Sequence, residues 1–152
     1  MKKLFFISLT IIAIGGFIFL NSSKNMDGTK IIFTDKAPKP IGPYSQAVLK
    51  GNILFVSGQI AINPVTNQLD TSVIENETKQ VMENLNAILE EAKMNTGDIT
   101  KTTIYLTDLK NFKTVNEVYG TYFKGNPPAR ETVQVAALPK GAKIEISVIA
   151  IK

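Results

Sequence analysis

The stretch KIEISVIAIK, residues 143–152, decides how this chain folds. Alternate side chains of an extended strand point to opposite faces of a sheet. One face of this strand carries Ile144, Ile146, Val148 and Ala150, and the other carries Glu145, Ser147, Ile149 and Ile151. Both sets are largely apolar, which predicts a sheet strand over 143–151 that is covered on both faces. A single carboxylate, Glu145, lies within this apolar setting.

The rest of the chain supplies five more strands and two helices. Runs of β-branched residues between turn signals predict strands over 30–34, 46–50, 53–60, 99–108 and 130–138. Apolar residues at helical spacing predict a helix over about 72–94 that begins with a capping box of Ser72 and Glu75. A second amphipathic pattern runs from Phe112 to Phe123, and a glycine and two prolines end it.

This element order, β-ββ-α-β-α-ββ, predicts an α+β domain with a single mixed sheet and both helices on one face. The apolar other face of strand 143–151 then needs a partner, most simply a second copy of the chain. The strand at 130–138 precedes 143–151 directly. An antiparallel pair of these two strands would hold Arg130 near the distal half of 143–151, although the sequence leaves the register open.

The first thirty residues form a separate segment. Lys2 and Lys3 precede seventeen residues, Leu4 to Leu20, that contain no charge. A signal-peptide core has about 7–15 apolar residues and a bilayer span about 20, so the length fits a cleaved export signal and a retained anchor equally well. We expect a signal peptide or membrane anchor at 1–20, a linker at 21–29 and one domain at 30–152. The domain would then be exported, with membrane contact through residues 4–20 if the segment is retained.

The composition excludes several kinds of enzyme. The chain of 152 residues contains no cysteine and no histidine. Thiol nucleophiles, Ser-His-Asp triads and zinc hydrolase sites are therefore excluded. An enzyme built from this chain would use carboxylate, hydroxyl, backbone, lysine or arginine groups, and we expect no metal and no cofactor. The lysines are scattered, so the net charge of +4 gives little reason to expect nucleic-acid binding.

Two charged residues are the candidates for chemistry. Arg130 is the only arginine in the chain, and its planar guanidinium can grip a carboxylate through two parallel hydrogen bonds. The alternative is an ordinary exposed arginine. Glu145 lies in an apolar strand, where a carboxylate is costly unless it is paired, solvated or raised in pKa. It is therefore either a structural ion pair or a general acid or base.

Five separated motifs follow one another along the chain: IGPYSQAV (41–48), LFVSGQIAINP (54–64), ITKTTIYLTDL (99–109), FKTVNEVY (112–119) and PPARETVQVAALPKGAKIEI (127–146). Together and in this order they resemble the motifs of the RidA family of reactive-intermediate deaminases. The resemblance covers about 30–152. It implies a chorismate-mutase-like fold, a homotrimer with clefts between subunits, and hydrolysis of enamine and imine intermediates to 2-oxo acids and ammonia. One departure from the family pattern is Thr132, at a position where relatives often have cysteine.

The resemblance also implies roles for individual residues. Arg130 would bind the substrate carboxylate, and Glu145 would position or activate water. The remaining cleft residues would be Tyr44, Ser57, Gly58 and Phe112. Three of these have a structural alternative: Tyr44 as the cap of a proline loop, Phe112 as core and Gly58 as a β-bulge. Asn116 belongs to a characteristic helix motif and is assigned no role beyond structure.

The expected function is that of a 2-iminobutanoate/2-iminopropanoate deaminase acting on a small imine or enamine. An imine hydrolyses in water unaided, so catalysis needs only substrate orientation, a positioned water and proton transfer. One alternative is a non-catalytic module that binds small carboxylates in the same cleft. A ribonuclease or translation inhibitor is the other, which the scattered lysines support weakly.

Overall fold

The computed structural model describes residues 28–70 and 72–152. The export or anchor segment expected at 1–20 lies outside the described residues. Within these two ranges, no helix combines the length and the apolar character that a bilayer crossing requires.

The described residues contain six strands and two α-helices in the predicted order. The strands are β1 (Thr29–Ile32), β2 (Ala47–Lys50), β3 (Ile53–Gln59), β4 (Ile99–Leu106), β5 (Ala129–Gln134) and β6 (Ile144–Ile151). The helices are α1 (Ile74–Glu91) and α2 (Phe112–Gly120). Each element lies where its pattern predicted it, and most are shorter by one to four residues at an end.

The strands form one mixed sheet in the order β1-β2-β3-β6-β4-β5. Neighbouring strands are antiparallel except β4 and β5, which are parallel. The predicted single mixed sheet is confirmed. The antiparallel pair expected between 130–138 and 143–151 is wrong, because both edges of β6 are already paired with β3 and β4. Strand β5 therefore lies at the edge of the sheet, two positions from β6.

The start of helix α1 differs from the predicted capping box. The helix begins at Ile74, and its N-cap residue Val73 makes no side-chain cap hydrogen bond. The hydroxyl of Ser72 instead donates to Asp70 Oδ1 at 2.6 Å. A tertiary contact anchors this end of the helix: Glu77 accepts from the backbone N–H of Lys143 at 3.0 Å, and its other oxygen lies 3.0 Å from Lys143 Nζ. The first turn of α1 is thus tied to the residue that precedes β6 and has no side-chain cap at its N-cap residue.

Both helices pack on one face of the sheet, as predicted. Leu85, Ile88 and Leu89 of α1 are fully buried against Ile144 and Ile146 of β6. Tyr119 of α2 belongs to the same core. The alternation along β6 is regular, since residues 144, 146, 148 and 150 are all buried.

The opposite face of the sheet is open and largely apolar, which confirms the apolar second face predicted from strand 143–151. A row of paired side chains crosses it from Ile31 to Val48, Phe55 and Ile149. Ile31 is 57% exposed and Phe55 is 47% exposed. Large exposed apolar side chains in a contiguous row are typical of a surface on which a partner packs.

Candidate functional site

A β-bulge in strand β3 creates the site around Glu145. Val56 pairs with Val148, whereas Gln59 pairs with Ile146, so β3 has one more residue than β6 between these two pairs. A bulge bends a strand and re-aims the residues within it. Ser57 and Gly58 are those residues, so the bulge that was one alternative for Gly58 is present and forms part of the site.

Gly58 provides the space that the Glu145 side chain occupies. A Cβ atom at position 58 would overlap Glu145 Oε1 and would lie 2.7 Å from its Cδ and 2.9 Å from its Cγ. The backbone of Gly58 is not in the left-handed region, so glycine is needed here for space and not for its backbone freedom. The Glu145 carboxylate therefore lies directly against the bulge backbone.

The electrostatics of Glu145 suit proton transfer. The residue is half-buried, and burial raises the pKa of its carboxyl above the ordinary value of 4.5. Desolvation is the only cause of this shift, and no cation in residues 28–70 or 72–152 offsets it. The structural ion pair considered for Glu145 is therefore absent from the described part of the chain. A raised pKa brings a carboxylate closer to the range in which it can both take and return a proton.

A cavity of about 330 Å³ lies beside this carboxylate. Four of the predicted site residues line it together: Tyr44, Ser57, Gly58 and Glu145. Its other walls include Ile41, Ile60 and Ile62. The cavity thus combines apolar walls with a few polar side chains, among them the Glu145 carboxylate, as expected for a small-molecule site.

The hydroxyl groups of this cavity are held by the backbone. The Tyr44 hydroxyl accepts a hydrogen bond from Ile41 N–H at 3.2 Å, which leaves its own proton to donate to a ligand. Ser57 Oγ donates to the Ser45 carbonyl at 2.7 Å. Ser57 therefore fixes the start of strand β2 to the bulge, and its hydroxyl can still accept a hydrogen bond from a ligand.

Arg130 lies in a different cavity with an aromatic environment. Its guanidinium carbon lies 5.0 Å from the centre of the Tyr119 ring and 5.9 Å from that of Phe112. These distances are within the range of cation–π attraction. The cavity measures about 480 Å³ and is also lined by Asn116. Phe112, expected in the same cleft as Tyr44, lies on the Arg130 side.

Arg130 and Glu145 project from opposite faces of the sheet. Arg130 pairs with Thr102 of β4, and Glu145 pairs with Tyr105 of the same strand. Positions 102 and 105 are an odd number of residues apart in a regular strand, so they face opposite ways. Thr102 is fully buried under the helices, whereas Tyr105 faces the open side. The two cavities share no lining residue. A single chain therefore does not bring the two charged candidates together.

Three polar side chains on the Arg130 side were not predicted to belong to a site. Asn116 Oδ1 and Thr132 Oγ1 are buried and have no hydrogen-bond partner within the described part of the chain. Tyr119 supports the guanidinium and donates its hydroxyl proton to Thr102 at 3.0 Å. Their sequence spacing could have identified two of them. Phe112, Asn116 and Tyr119 are four and three residues apart, which places them on one face of α2.

The site residues do not form a metal centre. Nowhere in residues 28–70 or 72–152 do three acidic side chains come close enough together to hold a metal ion.

Comparisons with known proteins assign the chain to a family. The family model described as Endoribonuclease L-PSP matches residues 34–152. A RutC family protein of Pyrococcus abyssi is 52% identical over 81% of this chain and 97% of its own length. The 2-iminobutanoate/2-iminopropanoate deaminase of Rattus norvegicus is 50% identical over 81% of this chain and 90% of its own. Among solved structures, E. coli TdcF with bound serine has a TM-score of 0.78 at 43% identity and covers 81% of this chain and 98% of its own. The resemblance carried by the sequence motifs is confirmed, and the chain belongs to the Endoribonuclease L-PSP family, which includes the RutC and RidA proteins.

Proposed function

We propose that the chain is a 2-iminobutanoate/2-iminopropanoate deaminase that hydrolyses 2-imino acids, and their enamine tautomers, to 2-oxo acids and ammonia. The observation that carries the proposal is the Glu145 carboxylate, which packs against the Gly58 backbone, lines the cavity and has a pKa raised by burial. The relatives named as imine deaminases support the same activity.

The proposed chemistry needs only the groups of the two cavities. Arg130 binds the substrate carboxylate through its planar fork, and the Tyr119 and Phe112 rings hold the guanidinium in place. The Glu145 carboxylate accepts a proton from water as the water oxygen attacks the imine carbon. It then returns this proton to nitrogen, which gives a carbinolamine. A second transfer through Glu145, from the carbinolamine hydroxyl to the amine nitrogen, breaks the C–N bond and yields the 2-oxo acid and ammonia.

This chemistry requires a second copy of the chain, because Arg130 and Glu145 lie on opposite faces of one sheet. We therefore propose a homotrimer in which the open face of one subunit packs against the sheet edge of the next, where β5 carries Arg130. Each site is then formed by Arg130 of one subunit and Glu145 of its neighbour. The exposed apolar row on the open face supports such packing. Light scattering on a chain without residues 1–29 should give a trimer, and a monomer at micromolar concentration would contradict this assembly.

A subunit-mixing experiment tests the function and the shared site together. Arg130→Ala and Glu145→Ala variants should each release little ammonia from iminopropanoate generated in situ. Mixed from the unfolded state in equal amounts, they should recover about a quarter of the parent's activity, because about a quarter of randomly formed interfaces contain both intact residues. No recovery would show that the site is not shared between subunits. Failure of the parent to hydrolyse iminopropanoate would refute the deaminase proposal.

RNA cleavage is the second candidate function, because the matching family model is described as an endoribonuclease. The same preparations should therefore be incubated with a single-stranded RNA of mixed sequence. Cleavage that is lost in Glu145→Ala, with no turnover of iminopropanoate, would favour this candidate over the deaminase.

We also propose that the domain is exported through residues 1–20. The apolar run after Lys2 and Lys3 supports this proposal. Cell fractionation combined with N-terminal sequencing tests it. A mature chain that begins near residue 21 indicates cleavage, a membrane-bound chain that retains residue 1 indicates an anchor, and a full-length cytoplasmic chain contradicts export.

A further inference from the structure

The loop between β1 and β2 forms one wall of the Glu145 cavity. Four of its residues, Pro38, Lys39, Ile41 and Tyr44, line the cavity. Among the described residues, the stretch from Asp35 to Tyr44 makes a single backbone–backbone hydrogen bond, from Tyr44 N–H to the Gly42 carbonyl at 2.9 Å. A wall with so little backbone pairing needs other contacts to hold its shape.

Gln46, a residue that is 1% exposed and itself borders the cavity, provides those contacts through its side-chain amide. Its Oε1 accepts from Thr34 N–H at 2.7 Å. Its Nε2 donates to the carbonyls of Thr34 and Pro38, both at 2.9 Å, and lies 3.2 Å from that of Ala37. Two amide protons thus serve three carbonyl oxygens. One side chain from the far end of the loop therefore holds the backbone at the loop's beginning.

We propose that Gln46 is a positioning residue for the reaction: its buried amide fixes the loop at 34–45 so that Ile41 and Tyr44 form the substrate-binding wall opposite Glu145. The inference rests on the proposed function. Gln46 itself takes no part in proton transfer, because both ends of its amide are occupied by backbone groups. Glu145 and Gly58 belong to β6 and β3, so loosening the loop leaves them in place.

Hydrogen exchange and steady-state kinetics on Gln46→Met test this role. Methionine has a similar length but forms none of these hydrogen bonds. We expect amide exchange in 33–45 to rise by about tenfold or more, with protection of α1 unchanged, because the loop opens locally. The KM for iminopropanoate should rise about tenfold while kcat changes less than about threefold, because binding and not chemistry is affected. The matched control is Gln68→Met, at an exposed glutamine in another loop, which should leave both quantities unchanged.

A second variant separates positioning from simple support of the fold. In Gln46→Glu the ionised carboxylate repels the three carbonyls, whereas the protonated acid can donate to one of them. The ratio of its KM to that of the parent should therefore fall as the pH is lowered, while the same ratio for Gln46→Met stays flat. If Gln46→Met does not fold, loop exchange in Gln46→Glu as a function of pH provides the same test.

Two results would overturn the inference. One is a KM for Gln46→Met within about twofold of the parent. The other is exchange that rises equally in 33–45 and in α1, which would mean that Gln46 supports only global stability. A parent enzyme that releases no ammonia from iminopropanoate would refute the proposed function instead. The exchange measurement alone would then decide whether Gln46 holds this wall of the cavity.

Discussion

Replacement of Gly58 by alanine should reduce activity far more than it reduces stability. The added methyl group would overlap Glu145 Oε1 and lie 2.7 Å from Glu145 Cδ. Carbon atoms in ordinary contact are about 3.5–4.0 Å apart, so the carboxyl group must move by about 1 Å. The atoms that must move are the far end of a flexible side chain, whereas the Gly58 backbone is already in a region that alanine adopts. The strain can therefore be relieved by rotation of Glu145.

The two costs of this rotation can be compared. Holding Glu145 away from its preferred rotamer costs about 0.5–1.5 kcal/mol. A domain of this size loses about 4 °C of Tm for each kcal/mol, so the Tm should fall by no more than about 6 °C. Displacement of a catalytic group by about 1 Å can reduce the rate about 100-fold. That loss corresponds to about 2.7 kcal/mol of transition-state stabilisation.

Calorimetry and an ammonia-release assay with iminopropanoate on the same preparation would measure both costs. The control is a double-mutant cycle with Glu145→Ala, in which the methyl group at position 58 has room and should cause almost no further loss of rate. The reasoning is refuted if Gly58→Ala retains turnover within about twofold of the parent. It is also refuted if the alanine slows the Glu145→Ala background as strongly as it slows the parent.

Three further predictions follow from the charged residues. Arg130→Lys retains the charge but loses the planar two-point grip, so kcat/KM for iminopropanoate should fall by about one to two decades. A change within about twofold would exclude the carboxylate-binding role of Arg130. In the parent, kcat/KM should rise with pH as the Glu145 carboxyl, whose pKa is raised, loses its proton. Glu145→Gln cannot ionise and should show no such rise. Because that pKa is raised in the folded state, the parent loses stability as the pH rises from 4.5 through the folded value. Glu145→Gln should therefore be at least as stable as the parent at neutral pH, and a large drop in Tm would instead indicate a structural ion pair. Glu77→Ala should lower the free energy of unfolding by about 2–4 kcal/mol, because it leaves the Lys143 backbone N–H without its acceptor and a cavity where the buried side chain was. Glu77→Gln should lower the free energy of unfolding by only about 1–2 kcal/mol, since its amide oxygen can still accept from the Lys143 backbone. Equal melting temperatures for Glu77→Ala and Glu77→Gln would contradict this account.

Local patterns in the sequence were sufficient to predict the helices and strands and to assign residues to the two faces of the sheet. The alternation along 143–151 predicted which side chains of β6 lie under the helices and which face the open side. The helical spacing of Val81, Leu85, Ile88 and Leu89 predicted the buried side of α1. Periodicity is a property of neighbouring residues, so it can be identified without knowledge of the tertiary structure.

Local patterns did not predict every local bond or the pairing of the strands. Ser72 and Glu75 match a capping box, yet the Ser72 hydroxyl donates to Asp70 and α1 begins at Ile74. Arg130 was placed near β6 by chain order, yet β5 pairs with β4. Strand order depends on which edges are already occupied, and adjacent residues carry no information about that.

The sequence by itself determined the elements, the apolar open face and the identity of the charged candidates, because these depend on side-chain chemistry and on spacing along the chain. Only the tertiary structure decided how the candidates are arranged. The bulge at Ser57 and Gly58, the contact of Glu145 with Gly58 and the hydrogen bonds from Gln46 to its loop join residues 8 to about 90 positions apart. The separation of Arg130 and Glu145 onto opposite faces follows from strand pairing. Pairing is settled by the packing of the whole domain, since each backbone edge can satisfy only one partner.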